Sequence, residues 1–465
     1  MFLETQESSG PAPAGKLADP AWAWARYEPE PERPWDLRLA GHLFRRAAFG
    51  ADRGTLQQAL SDGPQRAVEK LLSPDADVDA FNRTYEAYEV AAAGSNSADG
   101  LRAWWLRRMI ETPHPLLEKM TLFWHSHFAT SNAKVGSGRL MQRQVQLLRE
   151  HALGRFQPLL EAVSRDPAML VWVGADANHK ALPNENYARS LMARFSLGLG
   201  NFSEDDIREA ARAFTGWFVL RNELRFIPRE HDSGPKKVLG REGNFDGDDV
   251  VRIVLEHPAT PQFLVRKLYR WLISETHPPD DALVAPLAEA FAQEYDTGKL
   301  VETMLRSNLF FSPAAYRQRV KCPVEFALGI IRGLEATVPT ARLGSDLAML
   351  GQNLYHPPTV KGWEGGRYWI NATTMVGRSN LAVALLSGSE PYGDKLDPLA
   401  VAGRYGHATP ESAAQFLLDL FLQGDLEAGA RDALLKTVAG SEGDASQRLR
   451  RFAHGVVTLP EFQLA

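Results

Sequence analysis

Two histidines set two residues apart open the chemistry that this sequence could perform. They stand in Phe123-Trp124-His125-Ser126-His127-Phe128. On a continuous helix such a pair lies about 200° apart around the axis, so the rings cannot easily close on one ion as an i, i+4 pair does. His127 shares an arc with Leu116, Met120, Phe123 and Trp124, and His125 falls nearly opposite. The spacing predicts one histidine bonded in the core and one at a second interface; a helix end near His125 would remove the objection to a shared site. His231-Asp232 follows in a turn with Gly234, ahead of Lys236 and Lys237. A loop histidine beside an acid serves as base, ligand or turn-stabilising pair. Glu185 adds a carboxylate, and Arg189, one helical turn on, could fix it or stabilise developing negative charge.

These groups define an expected site of His127, Glu185 and His231, supported by Asp232 and Arg189, with His125 as an outlying member. In a metal version, the two imidazoles and Glu185 would hold a divalent ion such as zinc. Glu185 would alternatively take a proton from metal-bound water, and Asp232 would orient a histidine tautomer. Without a metal a histidine is the base, and no nucleophile is identified. That hydrolase-like enzyme competes with a buried structural ion network. It also competes with a non-catalytic binding or scaffold protein, which would take a protein partner or an extended polymer on the segment 355–369. There Lys361-Gly362-Trp363-Glu364-Gly365-Gly366-Arg367-Tyr368-Trp369 offers a cleft wall through Lys361, Trp363 and Arg367.

Other motifs are excluded by their order. The glycine-rich run lacks the Lys-Ser/Thr ending of a phosphate-binding loop, and Gly198-Leu199-Gly200 follows a helix rather than a strand. No Gly-x-Ser-x-Gly elbow occurs, and Ser126 is a poor nucleophile by spacing. Cys322, the single cysteine, reads as a small buried residue, with no disulfide framework or Cys-rich zinc site. Arg266, Lys267 and Arg270 read as core-edge ion pairing and solvation, with phosphate binding as the alternative.

The elements that must position these residues are helices. Asn184–Gly216 is the segment around which the rest is organised. Ala188, Leu191, Met192 and Phe195 recur at helical spacing, Gly198 and Gly200 end the first helix, and Ser203 with Asp206 forms a capping box for the second. After Trp217 the period shortens: 217–220 and 223–227 predict a hairpin around Arg221-Asn222, with 228–240 as a loop or irregular third strand. Elsewhere helical periodicity continues, with no βαβ alternation and no repeat. The expected fold is mainly α: one large multi-helical domain over 34–465 with a small β hairpin near 217–239. A flexible Pro/Ala-rich arm over 1–33 precedes it, and Trp22 and Trp24 could pin part of that arm.

The 465 residues are 44% apolar and 23% charged, an ordinary globular balance. A net charge of -5 gives nucleic acid no general electrostatic reason to bind. The first residues lack a basic region followed by an apolar one, and no run is long enough to span a membrane. A cytoplasmic address is the default expectation.

Seven stretches together carry a resemblance. They are His42-Leu43-Phe44-Arg45-Arg46-Ala47-Ala48-Phe49-Gly50, the 123–128 motif, Asn184-Glu185-Asn186-Tyr187-Ala188-Arg189, Ala211-Arg212-Ala213-Phe214-Thr215-Gly216-Trp217, His231-Asp232-Ser233-Gly234, His257-Pro258-Ala259-Thr260 and Lys361-Gly362-Trp363. In this order they resemble a large bacterial family, the domain of unknown function numbered 1800, over nearly all the chain after the arm. The resemblance implies one integrated domain and a shared polar site, and names no reaction. It also implies relatives that are commonly exported and encoded beside a second family with sulfatase-like features.

Overall fold

The computed structural model describes residues 14–94, 97–440 and 442–465. Its elements are helices almost throughout, with two small antiparallel hairpins inserted between residues 217 and 243. The first pairs Trp217–Leu220 with Glu223–Phe226. Arg221 and Asn222 both take positive φ, 53° and 65°, the conformation that lets a two-residue turn match the strand twist. The second, Lys236–Val238 with Arg241–Gly243, lies where a loop or an irregular third strand was expected. Its turn residues Leu239 and Gly240 carry φ of 48° and 79°. Leucine is a weak signal for that turn. What holds it is tertiary: Val238 is fully buried, and the Leu239 N–H donates to Asp206 Oδ1 at 2.7 Å.

Local sequence explains most helix limits. Arg53–Leu72 is broken at Gly63, whose φ of 77° is left-handed, just before Pro64. Glu204–Ala213 begins with the Ser203/Asp206 capping box. Pro115 starts Pro115–His127, which ends at its second histidine. A short helix, Asn132–Val135, follows, and its first N–H donates to Tyr355 O at 2.8 Å.

The buried apolar side chains form one connected cluster running from Ala23 to Phe462. It includes part of the expected arm. The Tyr27 ring is fully buried, its N–H donates to Arg306 O at 2.8 Å, and Trp24 Nε1 donates to Leu283 O at 2.9 Å. The described part of the arm therefore packs on the body, because its aromatics have apolar surface to bury. The rest of the expected flexible arm lies outside the described residues. Among the described residues no helix is long and apolar enough to cross a membrane.

Behind the cleft described below sits a buried ion cluster. Glu325, 2% exposed, accepts from Lys119 Nζ, from Arg319 and from the Cys322 N–H. Lys119 Nζ also donates to Ala48 O at 2.8 Å, tying in the 42–50 motif. Arg319 stacks on Trp271 at 4.6 Å from the ring centre. Trp271 is thus a cleft wall held from behind by paired charges.

Candidate functional site

Helix Ala259–Leu272 carries Phe263, Lys267, Arg270 and Trp271 at i, i+4, i+7 and i+8, which is one helical face. The opposite face, with Leu264, Val265, Leu268 and Leu272, enters the core. The polar face meets the end of helix Pro115–His127 and the segment 360–368 around an open cavity of about 460 Å³. Its walls include His127, Lys267, Arg270, Trp271, Lys361 and Trp363. A second cavity of about 520 Å³, walled by Arg194, Phe263 and Arg266, shares His127, Lys267 and Lys361 with the first. A third, about 370 Å³, shares Arg270 and Glu275 and adds Arg317, Arg319 and Arg367. Cations outnumber the carboxylates of Glu275 and Glu364 along this groove.

His127 lies in an aromatic box and is nearly buried, at 4% exposure. Its Nε2 faces Phe195 O at 3.1 Å and its Nδ1 faces Lys267 Nζ at 3.1 Å. A carbonyl only accepts, so Nε2 carries the proton and Nδ1 offers its lone pair. The carbonyls come from a helix end. Residues Leu191–Ser196 form a π-helical turn that stops before Gly198, whose φ is 76°. The last carbonyls of a helix have no intrahelical donors. Here Arg194 O accepts from Lys267 Nζ at 3.3 Å and Phe195 O from His127.

Electrostatics follow from this packing. Burial, then the neighbouring Lys267, holds the His127 imidazole well below its usual range. Burial, with Arg194 and Arg270 nearby, pushes the Lys267 amine down to about 7. No carboxylate is ion-paired to Lys267 among the described residues.

His125 works on the other side of its helix. Its Nε2 accepts the Tyr355 N–H at 3.1 Å and its ring lies 5.5 Å from that of Trp363. Burial, then His356, pushes it down to about 3, so it stays a neutral acceptor. The two histidines serve two interfaces, as the roughly opposite helix directions require. The segment they help hold is pinned further. Glu275 accepts N–H groups from Gly366 at 3.2 Å and Val320 at 3.1 Å, and Arg270 donates to Glu364 O at 2.9 Å. Gly362 is buried at φ 73°, and a Cβ there would collide with the Ser126 carbonyl. Gly362→Ala is expected to cost about 1–3 kcal/mol. Urea melts should register that loss, and limited proteolysis should show new cleavage within 355–369; unchanged values would mean the close approach is dispensable.

The other expected site residues are engaged elsewhere. Arg189 donates to Glu185 at 2.9 Å and to Glu204 at 2.7 Å, an exposed ion network. His231 Nδ1 donates to Thr215 O at 2.8 Å. Asp232 pairs with Arg212 at 2.7 Å, accepts the Gly234 N–H at 2.8 Å and is held below the usual carboxylate range, first by Arg212. That motif builds the turn joining the two hairpins to helix Glu204–Ala213. The metal triad of His127, Glu185 and His231 is therefore not assembled. Among the described residues no three His, Cys, Asp or Glu side chains are grouped to hold an ion. The physical reason lies in the partners: each of the three is committed to a different hydrogen bond, and His127 Nδ1 faces an amine. Of the expected cleft residues, Lys361 and Trp363 line the first cavity and Arg367 the third.

Lys267 was named from the sequence only with Arg266 and Arg270, as core-edge ion pairing and solvation with phosphate binding as the alternative, and not as a site residue. Its signal was a lysine flanked at i−4 and i+4 by Phe263 and Trp271 in a helix otherwise rich in core residues.

No curated protein and no solved structure matches the chain. The model of a family described as a protein of unknown function, DUF1800, matches residues 42–464, and the chain belongs to that family.

Proposed function

We propose that the protein is a hydrolase-like enzyme whose active site is the cleft at Lys267 and His127, acting on a substrate that carries an anionic group. One observation carries this reading: an amine without a carboxylate partner faces a solvent-open cleft, with His127 Nδ1 and Arg194 O as acceptors at 3.1 and 3.3 Å. A neutral lysine has two N–H groups and one lone pair. The two acceptors take both N–H groups, which leaves the lone pair for a proton of water or substrate. His127 is the positioning residue, and Arg270 and Lys361 attract the anion. Buried, unpaired lysines in clefts are a recurring way to have a base at neutral pH.

Competitive acylation followed by peptide mass mapping across pH tests it. Lys267 is expected to titrate near 7 and to be protected by phosphate or sulfate. In the same preparation, nitrophenyl phosphate, sulfate and carboxylate esters should show turnover that K267M lacks. A Lys267 that titrates like the exposed lysines would sink the reading.

A second reading, a non-catalytic binding protein for a protein partner or extended polymer, draws on Tyr368, 71% exposed on the cleft rim. Under it, Tyr368→Ala would lose a co-purifying partner and Lys267 variants would keep it.

A further inference from the structure

We propose that Lys267 condenses with carbonyl compounds, forming an imine with an aldehyde or ketone that carries a carboxylate or phosphate group. This rests on the active-site reading above and goes beyond it, because it makes the amine a nucleophile rather than only a base.

Position favours covalent attack. Lys267, His127 and Lys361 are the wall shared by two open cavities of about 460 and 520 Å³. A carbonyl carbon at that junction has room for a substituent on each side. Cations stand on both sides as well: Arg270 in one cavity, Arg194 and the Asp281-paired Arg266 in the other, and Lys361 in the wall between them. An anionic substituent is therefore anchored while the carbonyl meets the amine. Hydrogen bonding aims the nucleophile. With Nζ donating to His127 Nδ1 and Arg194 O, the remaining tetrahedral direction holds the lone pair. A lysine desolvated among cations is the usual activated amine for this chemistry. At pH 7 an amine with a midpoint near 7 is about half neutral, against about one part in a few thousand for an unperturbed lysine.

The step balances without an oxidant or cofactor. The Nζ lone pair forms a bond to the carbonyl carbon, and the C=O pair moves to oxygen, which takes up a proton released by the amine. The carbinolamine hydroxyl then takes one proton from the solvent that fills the open cleft and leaves as water. The product is a protonated imine, whose remaining N–H can keep one of the two acceptors. Water reverses the sequence and restores the amine.

The test uses the whole protein, sodium cyanoborohydride and two small aldehydes, anionic glyoxylate and neutral glycolaldehyde, read by peptide mass mapping. Glyoxylate is expected to label Lys267 at least about tenfold faster than the exposed Lys180 and Lys395. Glycolaldehyde should label Lys267 more slowly than glyoxylate does. The double variant R270M/K361M should lose the glyoxylate advantage over glycolaldehyde; the two aldehydes are compared on the same variant, so that a change in the Lys267 amine on loss of Arg270 affects both rates alike. K267R, checked for an unchanged far-ultraviolet spectrum, should carry no adduct at 267. Equal rates for the two aldehydes would overturn the anionic part of the proposal. An unlabelled Lys267 beside labelled Lys180 and Lys395 would overturn the imine; if that same residue still titrates near 7, the base reading survives. A Lys267 that titrates ordinarily and stays unlabelled removes both.

Discussion

K267M is expected to be more stable than the wild-type protein at pH 6 while losing the chemistry of the cleft. Lys267 keeps its amine in a place that disfavours charge, which is a cost carried by the fold. The sign follows from proton binding. In the folded state the amine titrates near 7, and in the unfolded chain at about 10.5. Between those values the unfolded chain binds more protons, so wild-type stability rises with pH across that window. Below 7 the penalty is complete, and above 10.5 it is gone. Methionine fills a similar shape with no charge to desolvate. It forfeits two hydrogen bonds, to His127 Nδ1 and Arg194 O, worth about 1 kcal/mol each. The net gain at pH 6 is expected to be about 1–3 kcal/mol, shrinking towards zero or reversing near pH 10. Urea denaturation at the two pH values measures it. A K267M protein that is less stable at pH 6 would mean that the ammonium is a structural group, and the active-site reading would lose its physical basis.

The largest loss of stability is expected at Glu325. Burial alone would raise its pKa, but Arg319 and Lys119 outweigh that and hold the carboxyl well below the usual range. Glu325→Ala leaves Lys119 and Arg319 buried beside each other without the carboxylate that both pair with, a change that costs about 3–5 kcal/mol. Such a loss is a large fraction of the stability of an ordinary domain. Glu325→Gln keeps the shape and removes the charge, and should fall between. The pH sign is opposite to that of Lys267. A carboxylate with a depressed folded pKa contributes stability above its unfolded value, and that contribution fades as pH falls through the folded one. Wild-type protein should therefore lose stability faster than the Gln variant on acidification below the usual carboxylate range. Parallel acid curves would show that the cluster does not depend on the Glu325 charge. Because Trp271 lies against Arg319, its fluorescence should change in the alanine variant even where folding survives.

These two sites answer the question that buried polar residues raise in any chain. The charges at Glu325 are compensated and satisfied by three donors, so they read as structure. The charge at Lys267 is not compensated and opens on solvent, so it reads as function. The same comparison relegates the exposed Glu185–Arg189–Glu204 network, where long side chains meet in water and contribute little.

The sequence by itself determined the helical class, the hairpin around Arg221-Asn222 and the Ser203 cap. Each of these is a local preference: a periodicity, a turn conformation or a capping hydrogen bond set within a few residues. It also determined that His125 and His127 serve different directions, because helix geometry allows nothing else over two residues. The glycine-rich run was legible as a cleft wall, since Gly362 and its neighbours permit close backbone approach. Only the tertiary structure decided which polar groups meet. Lys267 reaches His127 across 140 positions of sequence, and Arg194 across 73. Neither separation leaves a trace in local pattern. The two groups expected beside His127 are absent for the same reason: Glu185 and His231 have local or nearby partners, Arg189 and Thr215, that satisfy them. What distinguishes Lys267 from any other helical lysine is burial without a counter-charge, and burial is a property of the assembled fold.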